Sequence, residues 1–170
     1  MPCARRCRAR ADRARADLPK LPFLLTRAFP CSFKVIIDRL ANRVNTINGR
    51  RYKDEPCILA WETGNELTAG KLDGWRELPA PASWTLAVAK HLKSRAPRTL
   101  VMDGSFARYM DPSSMFPKEV LDSPDVDILS YHHYGNGEAP RIKKECEVAR
   151  RSNKACVPPH LSLFCSSSAS

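Results

Sequence analysis

No run in the 170-residue sequence approaches the roughly 18 consecutive apolar residues of a membrane-spanning helix. The longest apolar stretches, such as Cys57 to Trp61, are strand-sized, so no membrane span is expected. Leu21 to Leu25, interrupted by Pro22, falls short of the roughly 7–15-residue apolar core of a secretory signal. Glycine is sparse, with seven in all. No Gly-rich phosphate cradle follows any apolar run, which argues against a nucleotide-binding sheet. Histidine numbers four, and Cys3 and Cys7 (CxxxC) are followed by no second close cysteine pair or His pair, so no zinc site is supported. The seven cysteines are odd in number and scattered, which argues against a disulfide framework. Cys57 and Cys156 lie in apolar runs and read as small core residues, and no cysteine is given a chemical role. Acidic residues are also short, 18 against 28 basic ones, for a net charge of +10. Half of that excess sits in residues 1–20, where seven basic residues face two acidic ones.

What is present reads as globular: 43% hydrophobic and 27% charged residues, enough for one domain with a core. A complete eight-stranded α/β barrel, however, takes on the order of 200 residues or more. Residues 1–31 are expected to be a basic, solvated leader. From Ser32, Phe33, Ile36, Ile37, Leu40, Val44 and Ile47 recur at helical spacing, with Ser32 as cap and Gly49 as terminator. Cys57 to Trp61 predicts a strand buried on both faces. A helix is expected from Pro81 to Arg95, with Trp84, Ala87, Val88, His91 and Leu92 on one stripe. Thr99–Met102 and Val126–Tyr131 read as strands, Ala139–Arg151 as a charged helix, and Lys154–Val157 as a further strand. Loop and helix fill each interval between strands, so the fold class is α/β with a parallel sheet and right-handed crossovers.

Functional groups in such folds gather at the carboxyl ends of the strands. Those ends hold Trp61, Glu62, Asn65 and Glu66, then Asp103 and Ser105, then His132, His133 and Tyr134. A carboxylate, an amide, an imidazole and a phenol on adjacent tips suit general acid/base work on a sugar. Trp61 and Trp84 read as core, His91 as a packed helix residue, Glu62 as an ion-pair partner and Asp103 as a loop cap.

The segment Arg50-Arg51-Tyr52-Lys53-Asp54-Glu55-Pro56-Cys57-Ile58-Leu59-Ala60-Trp61-Glu62-Thr63-Gly64-Asn65-Glu66-Leu67 resembles glycoside hydrolase family 5, in particular its endo-β-1,4-mannanase-like members. There a strand runs into an Asn-Glu pair. Asn42-Arg43-Val44-Asn45-Thr46, Asp103-Gly104-Ser105 and the His-x-Tyr pattern closing Val126 to Tyr134 extend the likeness to about residues 33–157. The resemblance implies a (β/α)8 TIM barrel that cleaves β-1,4-mannan or a related β-glucan with retention, outside the cell and without a cofactor or metal. It implies that Glu66 is the general acid/base and that Asn65 contacts the sugar 2-hydroxyl. His132 and Tyr134 would line the same cleft.

Retention needs a second carboxylate about 5–5.5 Å from the first. In the family this is a Glu after the strand matching Ala155, but Pro158-Pro159-His160 follows Val157 and no carboxylate occurs after Glu147. The family's early-strand Arg also has no counterpart, and Leu67 stands where Pro often follows the Asn-Glu pair. The expectation is therefore a partial barrel over residues 32–157, about strands four to seven, with a tail at 158–170 outside the resemblance. Such a chain is expected to be inactive alone and to self-associate through exposed barrel edges. A non-catalytic carbohydrate-binding remnant using Asn65, His132 and Tyr134 is a second reading. Nucleic-acid binding through residues 1–20 is a third, disfavoured because no aromatic interleaving or recognition motif accompanies the arginines.

Overall fold

A computed structural model describes residues 28–71, 77–105, 116–130, 132 and 139–157. Among them are four α-helices, α1 (Ala28–Asn42), α2 (Ala82–Arg95), α3 (Lys118–Leu121) and α4 (Ala139–Arg151). There are also six strands, β1 (Ala60–Glu62), β2 (Thr68–Lys71), β3 (Glu77–Pro79), β4 (Leu100–Asp103), β5 (Ile128–Leu129) and β6 (Ala155–Cys156). The main sheet has the order β1-β4-β5-β6 and is parallel throughout. Its registers pair Trp61 with Val101, Met102 with Ile128, and Leu129 with Cys156. The parallel βα reading holds; the antiparallel hairpin β2–β3 was not anticipated.

The first helix differs from its expected bounds. It starts at Ala28 and stops at Asn42, whose side-chain amide donates to the Asp38 carbonyl at 2.8 Å. Val44 then pairs with Arg51 across a tight turn. Asn45 and Asn48 shape that turn by accepting the amides of Ile47 and Arg50 on their side-chain oxygens, and Gly49 sits at φ 73°. Asparagine offers the backbone such local partners in competition with the helix, which is why the apolar period runs past the helix end. Ile47 is 94% exposed, and the buried stripe of α1 is Ile37 and Ala41, with Phe33 half-buried 5.2 Å from the Trp84 ring. Ile36, Leu40 and Val44, expected to face the core, are exposed.

The first strand begins at Ala60, three residues later than expected. Cys57 and Leu59 are exposed, so Cys57 is not the core residue its apolar run suggested, while Cys156 is half-buried against the core. Pro81 caps α2, and Trp84, Val88 and Leu92 bury against the sheet as expected. They pack with Val101, Phe116, Val120, Val126, Leu129 and Ala149 into one core. Burying a side chain of this kind is worth about 1.5–3 kcal/mol.

Two polar clasps set the strands' positions. The Val101 amide donates to Asp127 Oδ2 at 2.7 Å, the Asp127 amide returns a bond to the Val101 carbonyl at 2.8 Å, and Lys93 of α2 pairs with the same carboxylate at 2.6 Å. At the start of β6, Lys154 donates to the carbonyls of Ser123 and Val126 at 2.7 and 2.6 Å. Across the outer helices, Asp38 of α1 accepts from Arg95 of α2 at 2.7 Å and pairs with His91 at 2.8 Å, so His91 is a packed helix residue as read from the sequence. These contacts hold Asp38 below the usual carboxylate range in spite of its partial burial.

Candidate active site

The carboxyl ends of β1, β4 and β5 converge, because a parallel sheet points all its strand ends one way. After β1 the chain crosses onto β4. The Thr63 amide donates to the Met102 carbonyl at 3.0 Å, and the Thr63 hydroxyl accepts from the Gly104 amide at 3.0 Å. Four residues on, the Leu67 amide donates to the Gly104 carbonyl at 3.0 Å, and Leu67 pairs with Ser105. The two loops touch so closely that a Cβ on Gly104 would lie 1.6 Å from the Gly64 carbonyl oxygen. Glycine is therefore the residue this approach permits.

Between those anchors Glu66 adopts φ 52°. Left-handed backbone at a non-glycine residue costs of order 1–3 kcal/mol and persists where the surroundings impose it. Here the turn carries the Glu66 carboxylate to His132, with Oε1 2.9 Å from Nδ1. An ionised carboxylate only accepts, so the imidazole then holds its proton on Nδ1. On the other side of the ring, Nε2 is 3.6 Å from Glu62 Oε1. His132 is buried and thus stands between two half-buried glutamates from one strand end.

Burial pushes the Glu62 carboxyl above its ordinary range, although His132 and the Ser130 hydroxyl pull it back and the nearby Glu66 charge adds to the rise. One residue beyond Met102, Asp103 is fully buried, and loss of water pushes it up to about 6. Its Oδ1 accepts from the Ser105 amide at 3.1 Å and the Ser105 hydroxyl at 2.8 Å, which favour the charged form, and Glu62 opposes it.

Of the residues chosen from sequence, Glu66 and His132 are brought together, and Asn65 is exposed on the loop between Gly64 and Glu66. Tyr134 lies outside the described residues, as does His133. Glu62 does pair at the barrel end, with His132, as expected. Trp84 is core and Trp61 packs partly buried against it. The buried role of Asp103 was missed. The available signal was a carboxylate directly after a buried strand and two residues before a serine, a spacing that closes a side-chain turn. Among the described residues no group of three or more His, Cys, Asp or Glu side chains forms a metal cluster.

A parallel α/β sheet with an ionisable trio at its strand tips defines this as an α/β protein with polar chemistry at the carboxyl face of its sheet. Comparison with known proteins narrows the class. The family model described as "GH family 5 beta-mannosidase-like" matches residues 22–147, and the chain belongs to that family. It is 27% identical over 128 residues to mannan endo-1,4-beta-mannosidase 7 of Oryza sativa subsp. japonica, covering 66% of this chain and 33% of that protein. With mannan endo-1,4-beta-mannosidase F of Aspergillus clavatus it shares 28% over 127 residues, covering 63% and 28%.

Among solved structures, the endo-1,4-beta-mannanase of Rhizomucor miehei superposes with a TM-score of 0.59 at 24% identity, over 79% of this chain and 44% of that one. A glycoside hydrolase family 5 mannosidase variant from the same organism, in complex with mannosyl-fructose, gives 0.58 at 21% identity over 82% and 40%. The chain thus spans about a third of the length of the curated relatives it matches.

Proposed function

We propose that this chain carries the acid/base half of a mannan-cleaving active site, with Glu66 as the proton donor and acceptor at a β-1,4-mannosidic oxygen. The observation that carries the reading is the 2.9 Å contact between Glu66 and buried His132 at the strand tips, held by a left-handed turn at Glu66. A general acid must be aimed at the leaving oxygen and kept from rotating away, and the imidazole supplies that restraint. Asn65, exposed beside it, would meet the sugar hydroxyls at the mouth of the cleft.

Double displacement further needs a nucleophilic carboxylate about 5–5.5 Å from the acid. The carboxylates nearest Glu66 do not suit that role: Glu62 springs from the same strand end as Glu66 and Asp103 is fully buried. No acidic residue follows Glu147 in the 170 residues. The purified chain is therefore expected to release no reducing sugar from galactomannan, because removing one member of a catalytic pair costs orders of magnitude in rate. Turnover that vanishes in Glu66→Gln would overturn the inactivity and support the site. Turnover that survives Glu66→Gln would overturn the role of Glu66. A non-catalytic saccharide-binding function is the second reading, favoured by exposed Asn65 standing next to the Glu66–His132 contact. Absence of heat on titrating manno-oligosaccharide to millimolar levels would reject it.

A further inference from the structure

We propose that Cys146 and Cys156 are a disulfide-forming pair that staples α4 to the edge strand β6. The inference is independent of the catalytic reading. The Cys146 thiol lies on the last half of α4, and its sulfur is 2.7 Å from that of Cys156. The chain brings them there by a tight reversal. Asn153 takes φ 54°, and the Lys154 amide closes the turn on the Ala149 carbonyl at 2.9 Å. This left-handed ending is one that asparagine tolerates. Both thiols are half-buried, so neither is sealed from a small reagent. Reaching a bond of about 2.05 Å takes a movement of about 0.7 Å, within reach of a side-chain rotation.

The pair sits where a staple has most effect. β6 pairs through two residues with β5 and with no other strand among the described residues. An edge so short frays readily, and a covalent tie to a helix that buries Glu145 and Ala149 would hold it. The scatter of cysteines along the sequence concealed this pairing.

Closure requires an oxidant, and a small-molecule disulfide supplies it. Burial, the neighbouring thiol and the Glu145 carboxylate all push the Cys156 thiol up, so the first attack falls to Cys146. Its thiolate displaces one thiol from the reagent and forms a mixed disulfide. Cys156 then gives its proton to solvent, attacks the Cys146 sulfur and releases the second thiol. Two electrons pass from the protein sulfurs to the reagent.

The test incubates the full chain with oxidised glutathione, alkylates remaining thiols and maps the products by mass spectrometry. Trypsin cuts at Arg150, Arg151 and Lys154, between the two cysteines, and chymotrypsin cuts after Phe164, separating Cys156 from Cys165. The expected product is a linked peptide pair holding Cys146 and Cys156 that reduction dissolves. The oxidised chain should melt about 5–10 °C above the reduced one, and Cys146→Ser should abolish that gain. Full alkylation of both thiols after oxidation, or linkage of either to Cys165 or to a second chain, would overturn the proposal. The mapping uses the unaltered chain and so does not depend on how the variant folds.

Discussion

Replacing Gly104 with alanine tests the link between fold and site at one methyl group. The new Cβ would sit 1.6 Å from the Gly64 carbonyl oxygen and 2.8 Å from the Glu62 side chain. Restoring ordinary contact requires the loops after β1 and β4 to part by about 2 Å, in an interior packed too densely to yield freely. Two backbone-anchored bonds would go with it, Gly104 to the Thr63 hydroxyl and Leu67 to Gly104, at about 1 kcal/mol each. Overpacking adds about 1–3 kcal/mol. The sum is about 3–5 kcal/mol, which for a chain of this size lowers the melting temperature by roughly 10 °C or more.

Gly49→Ala is the control. It meets nothing within 4 Å, so its cost is the left-handed φ of 73° alone, about 1 kcal/mol. The assay pairs thermal melts with NMR of the His132 imidazole, which reports the Glu66 contact. Gly104→Ala should displace that signal in the surviving folded fraction, and Gly49→Ala should leave it in place. If Gly104→Ala melts within about 3 °C of the parent, the shift of a 1 kcal/mol change, and the His132 signal does not move, the account of loop contact is wrong.

Two further outcomes are expected. Asp103 is raised to about 6 and Glu145, buried on α4, to about 8, so the folded state binds more protons than the unfolded chain across those ranges. Stability from these groups is then full below about pH 4 and falls as pH rises, first through 6 and then through 8, with Asp103 worth on the order of 3 kcal/mol. Urea melts across pH should show this decline, Asp103→Asn should flatten its lower part and Glu145→Gln its upper part, and a decline unchanged in both would refute the assignment. Separately, among the described residues β1 is the outer strand of the main sheet and Leu59 beside it is 67% exposed, so concentration-dependent self-association is expected in sedimentation velocity, weakened by Leu59→Lys.

The parallel order of the sheet was legible because β-strand and helix patterns alternate at regular spacing, and α2 and α4 lie where their stripes put them. Boundaries were less so. An apolar residue at helical spacing carries no label saying whether the backbone still coils, and the asparagines of 45–48 end the coil before Val44 and Ile47 can be buried. Cys57 to Trp61 shows the same ambiguity for strands, since its first three residues are outside β1. At the site, motif context led to Glu66 and His132, but the Asp103 carboxylate and the Cys146–Cys156 approach depend on three-dimensional proximity. The Asp103-x-Ser105 spacing signals a side-chain turn but not its burial, and nothing in the spacing of Cys146 and Cys156 marks them as neighbours.

The Asp127 clasp on Val101 bears on how so little sheet can be specified at all. β4 and β5 share only two paired residues, and a slip of one would turn Leu129 out of the core and Ser130 away from the strand tips. With both bonds of the clasp made to a single residue, the slipped alignment forfeits a charged contact to Lys93 as well as two backbone partners. The alignment of β5 thus rests on a polar contact as well as on the burial of Ile128 and Leu129. Asp127 stands immediately before β5, and its identity decides which strand tips face one another.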